Sequence, residues 1–258
     1  MKIPIALTIA GSDPSGGAGI QADLKTFHQR GAYGMAAITL LTVQNTLGVR
    51  AVDVLAPELV EAQVRRVIED IPPGAAKTGA LGDEKIVRMI ARLAEEFNFP
   101  LVVDPVMISK HGHALLTEPA RRAMADSLLP RAYLVTPNLH EAAGLAGFPV
   151  RDIESMERAA EKIISLGARG ALIKGGHLEG DAVDLLRFGN ETILLTSPRV
   201  ETRHTHGTGC VFSACITAEL AKGSLIKEAV AAAKEYITRA IASAPGLGQG
   251  SGPVNHFV

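Results

Sequence analysis

Ile5-Ala-Leu-Thr-Ile-Ala10 runs directly into Gly11-Ser12-Asp13-Pro14-Ser15-Gly16-Gly17-Ala18-Gly19. The first part is a short apolar run that reads as a strand, and the second is made of residues that turn the chain. From about Gly19 to Arg30, Ile20, Leu24 and Phe27 recur at helical spacing. A strand that enters a helix through a glycine-rich turn is the layout of a ligand loop in an α/β protein. The loop is not a Walker A sequence, because no Gly-Lys-Ser/Thr follows, and it does not match Gly-x-Gly-x-x-Gly. Asp23 lies beside the apolar stripe of the helix, so it faces inward and needs a partner or a ligand. Lys25 or a loop N–H is the expected partner.

The same alternation continues outward from this unit. Strands are predicted at Met35–Val43, Ala75–Thr78, Leu101–Val103, Tyr133–Thr136 and Gly170–Lys174. Helices are predicted at Pro57–Ile71, Asp83–Asn98 (capped by Asp83), Glu118–Leu129 and Ile153–Leu166. Several strands end in polar residues: Gln44-Asn45-Thr46, Asp104, Asn138 with Glu141, and Gly175-Gly176-His177. In an open α/β sheet the strand C-termini are where ligands bind. An amide such as Gln44 offers both donor and acceptor to a planar heterocycle. The rhythm then changes, because Val183–Phe188 and Glu191–Leu195 flank Gly189-Asn190 as a hairpin. Ile226–Ala242 is an Ala-rich amphipathic helix, and the tail from Gly246 is read as irregular. No linker, repeat or charge run divides the chain. The expectation is therefore one α/β domain over residues 1–258, with a mainly parallel sheet, helices on both faces and a late antiparallel hairpin.

Thr205-His206-Gly207-Thr208-Gly209-Cys210 opens a further helix read as Val211–Lys222. A chain that enters a helix through Gly-x-Gly leaves backbone N–H groups unshielded at the positive end of the helix dipole, which makes a pocket for an anion. Cys210 falls in the first turn, where the same field favours a thiolate. A cysteine in this setting is otherwise a small core residue, the role assigned to Cys215. His204 and His206 lie nearby, but no recognisable Cys-His motif places them for covalent catalysis.

Composition excludes several classes. The 258 residues carry 26 basic and 27 acidic side chains, so nothing favours nucleic acid or an anionic membrane as partner. Aromatics are scarce, with 7 Phe, 3 Tyr and 0 Trp, which argues against base stacking. No run of about 18 apolar residues predicts a membrane span. The first ten residues read as a strand rather than a signal peptide. Cys210 and Cys215, in one helix, suit neither a disulfide nor a metal site, so reduced thiols and a cytoplasmic setting are expected.

Taken together, the stretches Ala10–Lys25, Val43–Thr46, Lys77–Gly79, Val103–Met107, Thr136–Asn138 with Glu141, Lys174–His177 and Thr205–Cys210 resemble the ribokinase-like superfamily. Within it they resemble the hydroxymethylpyrimidine/phosphomethylpyrimidine kinases of thiamin biosynthesis. The resemblance implies a three-layer α/β/α sandwich, ATP and Mg²⁺, a small pyrimidine alcohol as substrate, and a homodimer. It implies that Gly207, Thr208 and Gly209 form the anion hole and that Cys210 accepts the substrate's proton from a modestly lowered pKa. Lys174 would reach the phosphates. Asn138, Glu141, Asp104 and Thr205 would line the ATP site, the first three near Mg²⁺ through water and phosphates. Gly11, Asp23, Gln44 and Val106 would hold the aminopyrimidine ring. Ala80 stands where the family commonly has Met and Thr42 replaces a more apolar residue, which leaves the ring pocket's preference open. Pyridoxal or pyridoxine kinases, which share the Gly-Thr-Gly-Cys ending, are the neighbouring alternative, and a non-catalytic pyrimidine-binding sensor is the remote one. Ile108–Leu115 is read as a closing loop.

Overall fold

The structure is a computed structural model and describes residues 3–107, 115–176, 178 and 180–258. One sheet organises it. Its strands are β1 (Ile5–Ser12), β2 (Tyr33–Asn45), β3 (Gly48–Val54), β4 (Ala75–Thr78), β5 (Leu101–Val103), β6 (Leu134–Val135), β7 (Gly170–Gly175), β8 (Ala182–Phe188) and β9 (Glu191–Ser197). They lie in the order β3-β2-β1-β4-β5-β6-β7-β8-β9. From β2 to β7 the pairings are parallel, while β3 on one side and β8 and β9 on the other run antiparallel.

The helices are α1 (Gly19–Gln29), α2 (Pro57–Asp70), α3 (Glu84–Leu93), α4 (Glu118–Ala123), α5 (Leu139–Ala146), α6 (Ile153–Ser165), α7 (Thr208–Ala221) and α8 (Ile226–Ala242). Strand alternation sorts them into two layers. Leu7, Ile9, Ala76, Val103, Val135 and Ile173 point into the core under α2 to α6. Ala75, Val102, Leu134 and Leu172 point into the core under α7 and α8, and Ala6 meets α1 and α7. The result is the expected α/β/α sandwich. The chain leaves β1 through α1 to β2 on one side and returns to β4 on the other, so strand order reverses at the β1/β4 boundary. Crevices at such switch points are where open α/β sheets bind ligands.

Several predicted elements differ. The sheet has a second antiparallel margin, because β3 folds back on β2, and Gln44 and Asn45 belong to β2 rather than to a loop beyond it. The predicted helix Glu118–Leu129 is α-helical only to Ala123 and then widens into a π-type turn, Met124–Leu128, before Pro130. The segment after Pro137 is a helix, α5, started by a reciprocal cap: Asn138 accepts from the Glu141 N–H and Glu141 accepts from the Asn138 N–H. The tail is irregular but fastened: Val254 is buried, and the His206 N–H donates to Gly252 O at 3.0 Å. Tyr236, fully buried in α8, donates its hydroxyl to His256 O at 2.9 Å. Tyr236→Phe removes that bond and leaves a buried carbonyl, so urea unfolding should show a loss of about 1–2 kcal/mol.

Candidate functional site

The loops at the C-terminal ends of β1, β4, β5 and β7 meet the start of α7 around a cavity of about 890 Å³. All the residues singled out from sequence line it: Gly11, Asp23, Gln44, Asp104, Val106, Asn138, Glu141, Lys174, Thr205, Gly207, Thr208, Gly209 and Cys210. The closing-loop segment lies outside the described residues except for Leu115, and so does His177.

Two glycine-rich loops touch at its floor. Gly207 is the N-cap of α7 with φ 79°, a left-handed conformation that favours glycine. A Cβ there would stand 1.7 Å from Gly17 O, so the β1–α1 loop and the α7 entry pack backbone to backbone. Asp13 locks the contact. Its carboxylate accepts from the N–H groups of Ser15 (2.8 Å) and Ala18 (2.9 Å), and Oδ2 lies 2.8 Å from His206 Nε2. Burial alone would raise this carboxyl, but the bonds from His206, Gln44 and Ser15 outweigh it and hold it well below the usual carboxylate range. Neither Asp13 nor His206 was assigned a role from sequence. Their separation of 193 positions carries no local signal. With His206 on Asp13, the geometry gives no support to a Cys-His nucleophilic pair.

At α7 itself, the Thr208 N–H turns back to Thr205 O at 3.3 Å, joined by the Thr208 hydroxyl at 2.7 Å. The N–H groups of Gly209 and Cys210, the next in the first turn, are therefore the ones an anion would meet. A Cβ on Gly209 would come 3.1 Å from Lys174 Nζ, so the first turn of α7 and the ammonium border the same small space. Lys174 Nζ donates to Asp104 Oδ1 at 3.1 Å, and Asp104 also accepts from Thr136 (3.3 Å) and Ser213 (3.2 Å). Burial disfavours the Lys174 charge, but Asp104 and Glu141 outweigh it and raise its pKa. Burial pushes Glu141 up to about 7, against the pull of Lys174.

Two expectations are corrected. Asp23 is paired not by Lys25 but by the fully buried Lys77, with Nζ–Oδ1 at 2.6 Å, while Thr8 donates to Oδ2 at 2.6 Å. Lys25 donates instead to Gly16 O. With both oxygens engaged, Asp23 forms part of the cavity floor rather than a free ring-reading group. Cys210 is not a resident thiolate: burial pushes its thiol up to about 12, with Lys77 pulling the other way. Thr42 turns its hydroxyl to Ser12 O at 2.9 Å, and Ala80 takes a hydrogen bond from Thr39 on its carbonyl at 2.6 Å. On the far side, Ala182, Ser197–Thr202, Ile237 and Ile241 extend the cavity between β8, the β9–α7 loop and α8.

A centre of this kind suits transfer of an anionic group, and the layering with antiparallel margins is that of the ribokinase-like phosphotransferases. The family model described as phosphomethylpyrimidine kinase matches residues 13–255. A hydroxymethylpyrimidine/phosphomethylpyrimidine kinase of Streptomyces coelicolor is 50% identical over 98% of this chain and 94% of its own. Among solved structures, the pyridoxal kinase of Staphylococcus aureus in complex with AMP-PCP and pyridoxal superposes with a TM-score of 0.92 at 39% identity, covering 100% of this chain and 94% of the other. A phosphomethylpyrimidine kinase of Clostridium difficile has a TM-score of 0.82 at 46% identity, covering 93% of this chain and all of the other. The chain belongs to the phosphomethylpyrimidine kinase family, and it is a phosphotransferase.

The raised Glu141 pKa has a defined sign in stability. The neutral carboxyl is the form the fold prefers, so its contribution is complete below the unfolded value near 4.5 and is lost as pH rises through about 7. Glu141→Gln keeps an acceptor for the cap but removes the titration. Denaturant unfolding from pH 4 to 8 should show the wild type losing up to about 3 kcal/mol relative to the variant.

Proposed function

We propose that this chain transfers the terminal phosphoryl group of ATP to the hydroxymethyl oxygen of 4-amino-5-hydroxymethyl-2-methylpyrimidine, and then phosphorylates the monophosphate to the diphosphate. The observation that carries this reading is that the first turn of α7, at Gly209, borders Lys174 on its Asp104 partner in one cavity. The names of the relatives, which join both pyrimidine kinase activities, support the substrate. The AMP-PCP complex of the Staphylococcus aureus enzyme supports an adenine nucleotide as donor.

Phosphoryl transfer needs in-line positioning and cancellation of charge on the transferred group. In our reading Lys174 and the first-turn amides of α7 face the equatorial oxygens, preorganised before the reaction. The cavity arm at Ala182, Ser197–Thr202 and Ile237 takes the nucleoside, and Gly11, Gln44, Val106 and Ala80 take the ring. Among the described residues no three His, Cys, Asp or Glu side chains converge as a metal site. A divalent cation would therefore enter on the phosphates, with Asp104, Glu141 and Asn138 taking its water shell. Bound there, Mg²⁺ would neutralise phosphate charge. Cys210, once its own proton has passed to solvent, accepts the hydroxymethyl proton as a thiolate when that oxygen is held over it.

Pyridoxine phosphorylation is the second reading, favoured by the close match to a pyridoxal kinase and by the small Ala80 in the ring pocket. We further read residues 1–258 as one domain, since one nine-stranded sheet runs through it. A homodimer is supported by exposed Leu41, Val43, Leu47 and Val54 on the β2–β3 margin.

A coupled ADP-release assay over a panel of pyrimidine and pyridine alcohols tests the assignment. Hydroxymethylpyrimidine should give the highest kcat/KM, and a clear preference for pyridoxine overturns it. In the same assay Cys210→Ala should lower kcat by roughly 10²–10⁴. Retention within a few-fold removes Cys210 from proton transfer.

A further inference from the structure

Beneath the first turn of α7 lies a charged group that the phosphoryl-transfer scheme does not use. Lys77 sits in the middle of β4, between β1 and β5, where alternation turns it toward α1 and α7. It is fully buried, and so is its partner Asp23. Its ammonium donates to Asp23 Oδ1 at 2.6 Å and reaches the Cys210 carbonyl at 3.4 Å. Asp23 is itself fixed by the Thr8 hydroxyl on its other oxygen. A buried ion pair is a poor way to gain stability, since the desolvation of both charges offsets their attraction. Its place, under the one thiol that faces the cavity, suggests another use.

We propose that Lys77, oriented by Asp23, is a positioning residue whose buried positive charge makes the Cys210 thiol able to release its proton. The proposal rests on the reading of Cys210 as proton acceptor and deepens it. Cys210 lies near two helix N-termini: it is the third residue of α7, and Gly19, first of α1, lines the same cavity. The charged groups around it are Lys77 from β4, Asp23 from α1, Asp104 after β5 and Lys174 from β7. Burial and the two carboxylates favour the neutral thiol. Lys77 opposes them, and the pair presents its cationic end to α7, with the ammonium at the Cys210 carbonyl. Asp23 therefore belongs to the site by holding Lys77 in place.

The test reads the thiol rather than turnover. The rate of Cys210 alkylation by iodoacetamide is followed by peptide mass spectrometry between pH 7 and 10, which separates it from Cys215. Lys77→Met should slow alkylation at a given pH by about tenfold, equivalent to about one pKa unit. The alkaline-going limb of the kcat–pH profile should move upward with it. Lys77→Arg, which keeps the charge, should restore the profile to within a few-fold of the wild type. Because Lys77→Met strands a buried carboxylate and can fail to fold, Lys77→Met/Asp23→Asn is measured alongside it. That variant carries no unpaired charge and should still alkylate more slowly than the wild type. Alkylation at the wild-type rate or faster in either folded variant overturns the proposal. Failure of Cys210 as proton acceptor would show separately, as activity retained in Cys210→Ala with the alkylation differences intact.

Discussion

Everything at the candidate site depends on the contact between Gly207 and the Gly17 carbonyl. It is a backbone-on-backbone approach that no side chain at position 207 would allow. The contact brings the start of α7 onto the β1–α1 loop, so the positive ends of two helices point into one crevice. The sheet supplies the crevice, since strand order reverses between β1 and β4. The Asp13–His206 pair, reinforced by the amides of Ser15 and Ala18, then holds the two loops in register. The buried polar groups serve this placement, while the hydrophobic layers on the two faces of the sheet carry the stability.

The electrostatics of the cavity follow from that placement. Lys77 balances Asp23, and Lys174 balances Asp104, leaving Glu141 as the carboxyl that burial keeps partly neutral near pH 7. In the proposed reading a bound cation would give Glu141 a reason to ionise, and an oxyanion would meet Lys174 and the first turn of α7. On the proposal above, Cys210 would be tuned the same way, with its proton held by desolvation and loosened by the Lys77 ammonium beneath it. The groups are poised rather than already charged, which suits a site where charge arrives with the nucleotide.

Much of this was legible in the sequence, for physical reasons specific to each element. β4, β5 and α8 fall where their apolar patterns predict, because buried parallel strands and long amphipathic helices carry periodic signals. β3 was missed because Gly48–Val54 is a margin strand, largely exposed and carrying Arg50 and Asp53. Its signal was present in the Thr46-Leu47-Gly48 turn. α5 was missed because Asn138 and Glu141 were read only as groups near a metal, although Asn-x-x-Glu is also a helix-starting pattern. The partner of Asp23 was sought among near neighbours, and it lies 54 positions away on β4. The alternation of Ala75, Ala76 and Lys77 already turned that lysine to the α1 face. The Cys210 pKa failed for a different reason, since motif geometry encodes the helix field but not the depth of burial that opposes it.

The central claim is that the first turn of α7, facing Lys174, is where the phosphoryl group sits. Gly209→Ala tests it most directly. Position 209 is helical, so alanine gains helix propensity and reduces the freedom of the unfolded chain, offset by the few tenths of an ångström that Lys174 must give. The added methyl would, however, stand in the space between the first turn of α7 and Lys174 Nζ, 3.1 Å away. The variant should stay folded, with turnover of hydroxymethylpyrimidine and ATP reduced by two orders of magnitude or more. A stable Gly209→Ala enzyme with near wild-type turnover would contradict it.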